Sequence, residues 1–595
     1  MTTRVDRASE IVLNSKRYNI EGVISSSLIE AQPERQTVHL DDWRGGLGVE
    51  IIDEELAPNR YFWSTANTLF KGHLILPRLA VTTGTAPALD PSVMAALAGT
   101  VYARWSTVVH SYNNGSDTWG AAVHTGLNSV VGDFINITID QTTYLVIADG
   151  TDYHYSSDGS SWSTSTRDVN YLTYFDDQMW GITLQGQLWS SYTMGTETHK
   201  ACLAVEGVTN GELVTDLFTA PGNDGETGIF VATNRGLWHY DLDNDRFVGI
   251  SSLSVPAGLT NGTGTTFWRN SIFFPAGSEI YAYTPGQTPT LDEIGPGNDS
   301  HGLPSDQKGR IIQLLPTHNE LLALVDTTAL SSNTAASFSV LAYNIRHQSW
   351  RCLYEHGTAN VTPTAMFADN SYGIYRLYIA YGTSGDIDYI NLPYEVTNDL
   401  STTDATYASS AEHITSWVTV EDDRTAAAIR VFLHTKGLSA NETVKLDYEI
   451  DFAGSWTNLG TETAAGVKQY DFPNSSTPTG SDFTHIRFRV TLASTATNTN
   501  TPDMLSLDLE FRTKKKPRWA HGVTLDMRDT SPDGRSPREQ FADVRTVVEN
   551  TTMVEMTFRD GDSSYVYYVD VAGAQGTEET ASDFRAQMQL VLIES

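Results

Sequence analysis

Cysteine is nearly absent from this chain: among 595 residues only Cys202 and Cys352 occur. Two are too few for a disulfide framework, and neither has a second sulfur or a histidine at metal-ligand spacing. Both are expected to be buried free thiols. Basic residues are scarce as well. With 38 Lys+Arg against 72 Asp+Glu and a formal charge of -34, the chain is poorly suited to neutralising nucleic-acid phosphates or lying on anionic lipid. Neither specific nucleic-acid recognition nor a membrane partner is expected. No segment approaches the roughly 18 apolar residues of a membrane span, and the opening MTTRVDRASEIVLNSKRYNIEG lacks the apolar core of a secretion signal. The expectation is a chain made and folded in a cytoplasm.

The strong enzyme signatures are also missing: there is no HExxH, GxSxG, Walker loop or CxxC pair. Gly45, Gly46 and Gly48 lack the following helix and lysine of a phosphate cradle and read as a loop that packs on other protein. Asp241, Asp243 and Asp245 imitate the start of a calcium loop, yet Arg246 stands where that loop needs glycine and Ser252 where it needs a bidentate glutamate. A solvated turn is expected there. Arg104, Arg167, Arg235, Arg246, Arg269, Arg310, Arg346, Arg351 and Arg376 fall at irregular intervals and form no visible carboxylate-holding triad. A glycosidase pair of carboxylates has no sequence signature, because its spacing is spatial. No catalytic, cofactor-binding or metal-binding residue is assigned, no cofactor is expected, and the chain is not expected to be an enzyme.

What is present in abundance is the short alternating or aromatic run broken by Gly, Asn, Asp and Ser, the pattern of an all-β protein. A unit of apolar run, glycine turn and aromatic-ending run recurs in YLVIADGTDYHYS, MWGITLQGQLWS, GIFVATNRGLWHY and SIFFPAGSEIYAY. It recurs with a longer loop in LLALVDTTALSSNTAASFSVLAY, last in YRLYIAYGTSGDIDYINL, and first in VYARWSTVVHSYNNGSDTW. Strand-only repeats of roughly 40 to 50 residues predict a β-propeller of six or seven blades over residues 96–395. Aromatics open and close the polar turns YNNGSDTW, YSSDGSSW, YDLDNDRF and YNIRHQSW, so they can pack across each hairpin. The second is similar to a sialidase Asp-box, but Gly159 follows Asp158 directly, and it reads as blade architecture.

From about residue 400 to 513 the alternation becomes strict and the blade turns vanish. In THIRFRVTL, Ile486, Phe488, Val490 and Leu492 share one face and Arg487 and Arg489 the other, which predicts a jelly-roll-like β-sandwich. Residues 519–595 predict a small helix-plus-sheet module. Ser536 is its N-cap, Pro537 the first helical residue and Glu539 the partner in a capping box. Phe541, Val544, Val547 and Val548 form one stripe, with Asn550 near the end. Two strands joined across Asp560-Gly561 follow, then a strand with Phe584, Ala586, Met588, Leu590 and Leu592 inward. So small a core is expected to dock on a neighbour. Residues 1–95 read as an extended docking region.

This succession resembles the virion proteins of tailed bacteriophages. The residues that carry it are the RGGLG turn and RYFWST strand start, the SSDGSSW hairpins, the sandwich, and the closing SPREQFADVRTVVEN and FRAQMQLVLIES. The resemblance implies a structural tail protein of tail-tip, baseplate or nozzle type, without catalytic residues. It would assemble in the host cytoplasm into a homo-oligomeric ring with other virion tail proteins, its propeller projecting outward. In some members it implies host attachment through a surface glycan or receptor. The alternative from another class is a polysaccharide-binding adhesin or glycosidase of the virion or cell surface. Its mark would be clustered carboxylates and exposed aromatics in one channel mouth.

Overall fold

A computed structural model describes residues 3–6, 10–29, 34–46, 61, 63–68, 72–84, 87, 89–129, 132–203, 212–296, 307, 309–328, 337–370, 373–382, 386–392, 406–420, 424–473, 475, 479–495, 499–515, 518–560, 563–579 and 585–594. Each repeat of the sequence is the middle of a four-stranded antiparallel sheet, and seven such sheets follow one another between Pro91 and Asn391. The propeller therefore has seven blades. Their innermost strands are Pro91–Leu97, Phe134–Ile139, Tyr171–Phe175, Val214–Pro221, Thr266–Trp268, Arg310–Pro316 and Thr362–Asp369. Each apolar cluster of the propeller joins two successive blades. Ala95, Leu97 and Tyr102 of the first meet Phe134, Leu145 and Ile147 of the second, and Tyr112 and Trp119 of the first meet Tyr378 and Tyr389 of the seventh. A blade has no core of its own, so closing the ring completes the burial of both faces of every sheet.

The ring is closed by an early strand. Val81–Thr82 pairs with Asp388 and Tyr389 as the outermost strand of the seventh blade. The next residue, Thr83, is 3% exposed. Its hydroxyl donates to the Ile387 carbonyl at 2.6 Å and accepts from the Trp119 indole N–H at 2.8 Å. One side chain thus links the last blade to the first.

The sandwich consists of two sheets. One is built on Glu442–Ile450, His485–Ser494 and Ser410–Ile414, the other on Arg424–Lys436 and Asp503–Lys515. Ile486, Phe488, Val490 and Leu492 are all fully buried between them. On the outer face Arg487 pairs with Glu449 at 2.6 Å and Arg489 with Asp447 at 2.7 Å, while the Arg487 guanidinium lies 4.3 Å from the centre of the Trp417 ring. Strands from the start of the chain complete both sheets: Trp63–Ser64 pairs with His413 and Ile414, and Glu34–Leu40 runs along Asp503–Lys515. Trp43 and Tyr61 enclose the fully buried His413, with ring centroids 4.7 and 4.6 Å away. Burial holds that imidazole at a pKa of about 3, so it is neutral at physiological pH.

The two ends of the described chain share one unit. Strands Arg518–Met527, Lys16–Ile20, Glu10–Leu13, Val554–Asp560, Ser563–Glu579 and Arg585–Glu594 pair in that order, and the last returns to the first, closing a six-stranded barrel. Ile24–Ile29 and then Thr3–Asp6 extend it beside Arg518–Met527. The helix spans Pro537–Val548 with Ser536 as N-cap and the capping box to Glu539 in place. It presents Val544 and Val547 to a core that mixes Ile11, Leu13, Tyr18 and Ile24 with Leu525, Met556, Ala586, Met588, Leu590 and Leu592. Asp560 closes one strand of the hairpin; Gly561 and Phe584 lie outside the described residues.

Two expectations change here. Among the described residues, 518–594 supply four strands of the six-stranded barrel rather than a module of their own, and those before residue 85 are divided among barrel, sandwich and propeller rather than forming one extended region. The physical reason is that each small sheet lacks enough apolar surface alone and completes its core with strands from the other end of the chain. The glycine loop, where described, packs within its own molecule: a Cβ on Gly46 would stand 2.6 Å from Ser349 Cβ in the sixth blade, and the Ser349 hydroxyl donates to the Arg44 carbonyl at 2.6 Å. Gly48 lies outside the described residues.

The seal between the seventh and first blades makes a direct prediction. Thr83→Val keeps the side-chain volume but leaves the Trp119 N–H without its acceptor and the Ile387 carbonyl without that donor. It should cost about 2–4 kcal/mol of propeller stability. Urea unfolding followed by tryptophan fluorescence measures this, and an unchanged midpoint would show that the seal lies elsewhere.

Candidate functional site in the propeller channel

The innermost strands surround a central channel of about 750 Å³ that receives side chains from all seven blades. Four of these strands carry an extra residue at the same place. Ser92, Thr215, Ile312 and Thr364 are each skipped by the pairing with the second strand of their blade, and all four line the channel. A bulge of this kind turns side chains out of simple alternation, here towards the axis. The rest of the wall mixes apolar residues such as Met94, Phe134, Leu172, Leu315 and Met366 with polar ones such as Asn136, Thr173, Thr219 and Gln313.

Two carboxylates interrupt that wall. Asp133 lies opposite Ala148 in the second blade, Tyr171 opposite Ile182 in the third and Asp216 opposite Ala232 in the fourth. They occupy the same rung of three consecutive blades, so Tyr171 stands between the two acids. Asp133 Oδ2 accepts the Leu172 backbone N–H at 2.7 Å, tying the second blade to the third. Asp216 Oδ1 accepts the Leu217 N–H at 2.7 Å, and the backbone N–H groups of Gly264 and Thr265 in the approach to the fifth blade also favour its ionised form. Burial pushes the Asp133 carboxyl up to about 7, against the pull of Leu172. Burial first, then the charge of Asp133, raises Asp216 well above the ordinary carboxylate range. Tyr171 is raised by burial and then by both acids. No lysine, arginine or histidine is among the described residues that line the channel, so the pair has no countercharge.

These acids were not singled out from sequence. The signal was present: the aligned second strands YLVIAD and GIFVAT bring Ala148 and Ala232 into register, and with them the acids opposite. The residues that did attract attention lie elsewhere. Asp158 caps the outer hairpin of the second blade, accepting from the backbone N–H of Ser160 at 2.8 Å and of Ser161 at 2.7 Å, which lower its pKa. A Cβ on Gly159, which has φ +74°, would stand 2.0 Å from the Tyr102 hydroxyl. That turn fastens one blade to the next. Asp241 caps its own turn through Asn244 and pairs with Arg246 at 3.4 Å, while Asp245 accepts from the Tyr240 hydroxyl.

Nor do the arginines converge on the channel. Arg104, fully buried, donates to the Ser106, Ala148 and Asn128 carbonyls; Arg310 pairs with Asp326 at 2.8 Å and Arg351 with Glu320 at 2.7 Å. Cys352 is buried and Cys202 half-buried, both as free thiols. One further group, Asp149, Asp152 and His154, brings ligand atoms within 4.8 Å of one another. Asp149 is already engaged by the backbone N–H groups of Asn128, Thr151 and Asp152 and by His154 Nε2. These outweigh the effect of burial and hold its carboxyl at about 2. It is the lock of a turn.

No known protein family and no curated protein matches the chain. Among solved structures, it is similar to the extracellular domain of BT4673 from B. thetaiotaomicron, with 14% identity over 57% of this chain and 46% of that one and a TM-score of 0.39. It is similar to virginiamycin B lyase from Staphylococcus aureus, with 9% identity over 53% of this chain and 99% of that one and a TM-score of 0.38. YCF48 from Cyanidioschyzon merolae gives 11% identity over 52% and 98% and a TM-score of 0.37. The match thus spans less than half of BT4673. All are likenesses of fold at low identity.

The raised carboxyls fix a pH dependence. Asp133 has an ordinary value of 3.8 and sits at about 7 in the fold, so the folded state holds a proton that the unfolded chain has lost. Its contribution is complete below pH 3.8 and disappears as pH rises towards 7. In metal-free buffer, propeller stability should therefore fall across this window by up to about 1.4 kcal/mol per pH unit. Asp133→Asn should flatten the slope; an equal slope in both proteins, followed by urea titration at several pH values, would contradict the assignment.

Proposed function

We propose that this protein is a structural component of a bacteriophage tail, of tail-tip, baseplate or nozzle type. In this reading it joins a ring with other virion tail proteins through its barrel, and its propeller projects outward as a peripheral module. The observation that supports the reading is the nesting of the chain: barrel, sandwich, propeller, sandwich, barrel. An insertion of this kind lets an anchoring unit carry a distal module without depending on it for folding. The resemblance of SPREQFADVRTVVEN and FRAQMQLVLIES to tail-protein modules falls in the barrel, which agrees with an anchoring role there. Host attachment through a surface glycan or receptor, when it occurs, falls to the propeller or the sandwich. No catalysis is required of any unit.

The polysaccharide-acting alternative gains one observation, the Asp133 and Asp216 pair beside Tyr171 and the partly exposed Tyr174 in the channel. Reducing sugar released from host envelope material by the protein, and lost in Asp216→Asn, would favour it over the structural reading.

The nesting supplies the decisive experiment. The Leu79 N–H donates to the Thr406 carbonyl at 3.0 Å, so joining these residues through a short turn removes the propeller without straining the sandwich. Glu34 and Thr513 are paired, so a chain of residues 34–513 keeps sandwich and propeller and omits the barrel. The propeller-less chain should still be incorporated into particles, as read by mass spectrometry and cryo-electron microscopy, whereas chain 34–513 should stay soluble and free. Incorporation of 34–513 at the full-length level would overturn the anchoring role of the barrel, and absence of the intact protein from particles would overturn the reading as a whole.

A further inference from the structure

We propose that the barrel unit pairs edge to edge with a second copy of this chain, strand Thr3–Asp6 of one molecule running parallel to residues 570–579 of the next. Both edges belong to one sheet. Thr3–Asp6, Ile24–Ile29, Arg518–Met527, Arg585–Glu594 and Ser563–Glu579 lie side by side in that order, and their register puts Val5, Ser25, Gly522, Val591 and Gly573 on a single rung. Among the described residues, Thr3–Asp6 pairs on one side only, with residues 24–27. Ser563–Glu579 meets Val554–Asp560 along residues 563–569 and Arg585–Glu594 along residues 569–579. Beyond Val569 its other side is therefore unpaired among the described residues, and no residue of 570–576 is buried. The barrel closes, yet this five-stranded part of its sheet ends in an open edge on each side.

An open edge is a row of backbone N–H and C=O groups that templates a further strand, and lysine, proline or a cover is what normally blunts it. Residues 571–577, VAGAQGT, carry no charge and no proline. The pairing with Arg585–Glu594 is interrupted only at Ala572. Val591 stands 40% exposed between Gly522 and Gly573, so a strand arriving beside Gly573 covers apolar surface as well as backbone. The register selects the occupant. Because Val5 and Gly573 share a rung, the free strand of one molecule stands level with the gap in the next. Successive strands of the five are antiparallel, so the first and the last run the same way. A head-to-tail contact keeps that direction and makes a parallel pair, of the kind that closes into a ring when the rotation permits. Two-fold pairing of residues 570–579 with themselves would be antiparallel and would leave Thr3–Asp6 open in both molecules.

This inference rests on the reading of the barrel as the ring-forming unit, but its test needs no particle. Val5→Cys and Gly573→Cys are combined in the full-length chain with Cys202→Ser, which removes the half-buried native thiol. A Cβ at Gly573 meets nothing closer than Val591 at 3.9 Å, so Tm should be unchanged. Within one molecule the two positions are four strand spacings apart, roughly 15–19 Å, beyond the reach of a disulfide. Mild oxidation at high protein concentration and raised salt, which screens the charge of -34, should therefore give dimers, trimers and longer ladders, with a linked peptide joining the two positions. Each cysteine alone should leave the protein monomeric. Adding Gln575→Lys, at an exposed position of the same edge, should reduce the linked fraction several-fold at unchanged Tm. Absence of linked species, or dimers from Gly573→Cys alone as abundant as from the pair, would overturn the proposal. A protein that enters particles but does not link loses this edge and keeps the tail reading; ladders from a protein absent from particles do the reverse.

Discussion

Antiparallel pairing between the outgoing and the returning chain is the interaction on which the rest of this molecule depends. Residues 10–29 complete a barrel with residues 518–594, residues 34–75 complete the sandwich with residues 410–515, and Val81–Thr82 completes the last blade of the propeller. Each of these pairings spans hundreds of residues, so each carries a large cost in chain entropy before it returns any contact. It is tolerable because the contacts formed are extensive. The run from Arg424 to Lys436 is paired along nearly its whole length with Asp503–Lys515. Closure of the barrel and of the propeller ring also removes sheet edge that a chain of so many strands would otherwise present.

The same economy appears at smaller scale in the propeller. Side chains at the inner strands reach across to the backbone of a neighbouring blade. Asn136 donates to the Ala96 carbonyl at 2.9 Å, Asp133 accepts from Leu172, and Gln313 accepts the Met366 N–H at 2.6 Å. These bonds do for the channel wall what the apolar clusters do further out. They also explain how acids without a countercharge can sit in the channel wall. Their burial is offset by backbone N–H groups, and what remains of the penalty appears as raised carboxyl pKa values rather than as a ruptured fold.

How much of this could be read in advance follows from the range of each interaction. The blade repeats were legible because a blade's middle strands are adjacent in sequence: YLVIADGTDYHYS and GIFVATNRGLWHY are hairpins whose turn and pairing lie within one short segment. The alternation of THIRFRVTL was legible for the same reason, and so was the helix, whose capping box from Ser536 to Glu539 is local. What escaped was pairing at long range. Nothing in KRYNIEG announces that Asn19 will face Asp526, and a strand of two residues such as Trp63–Ser64 has no periodicity to detect. The channel acids escaped for another reason. Asp216 follows the bulge at Thr215, which scrambles the two-residue period by which a strand's faces are told apart, and Asp133 stands just before its inner strand, Phe134–Ile139, where no alternation marks it.

Nesting has a mechanical consequence. The strands Glu10–Leu13 and Arg585–Glu594 belong to the same barrel, so a tension applied between them is resisted by the hydrogen bonds of that barrel alone. The excursion through sandwich and propeller, residues 34–513, lies outside the line of force as a slack loop would. A molecule built in this way can be pulled hard at its barrel while the channel, its acids and the seal at Thr83 remain unstrained.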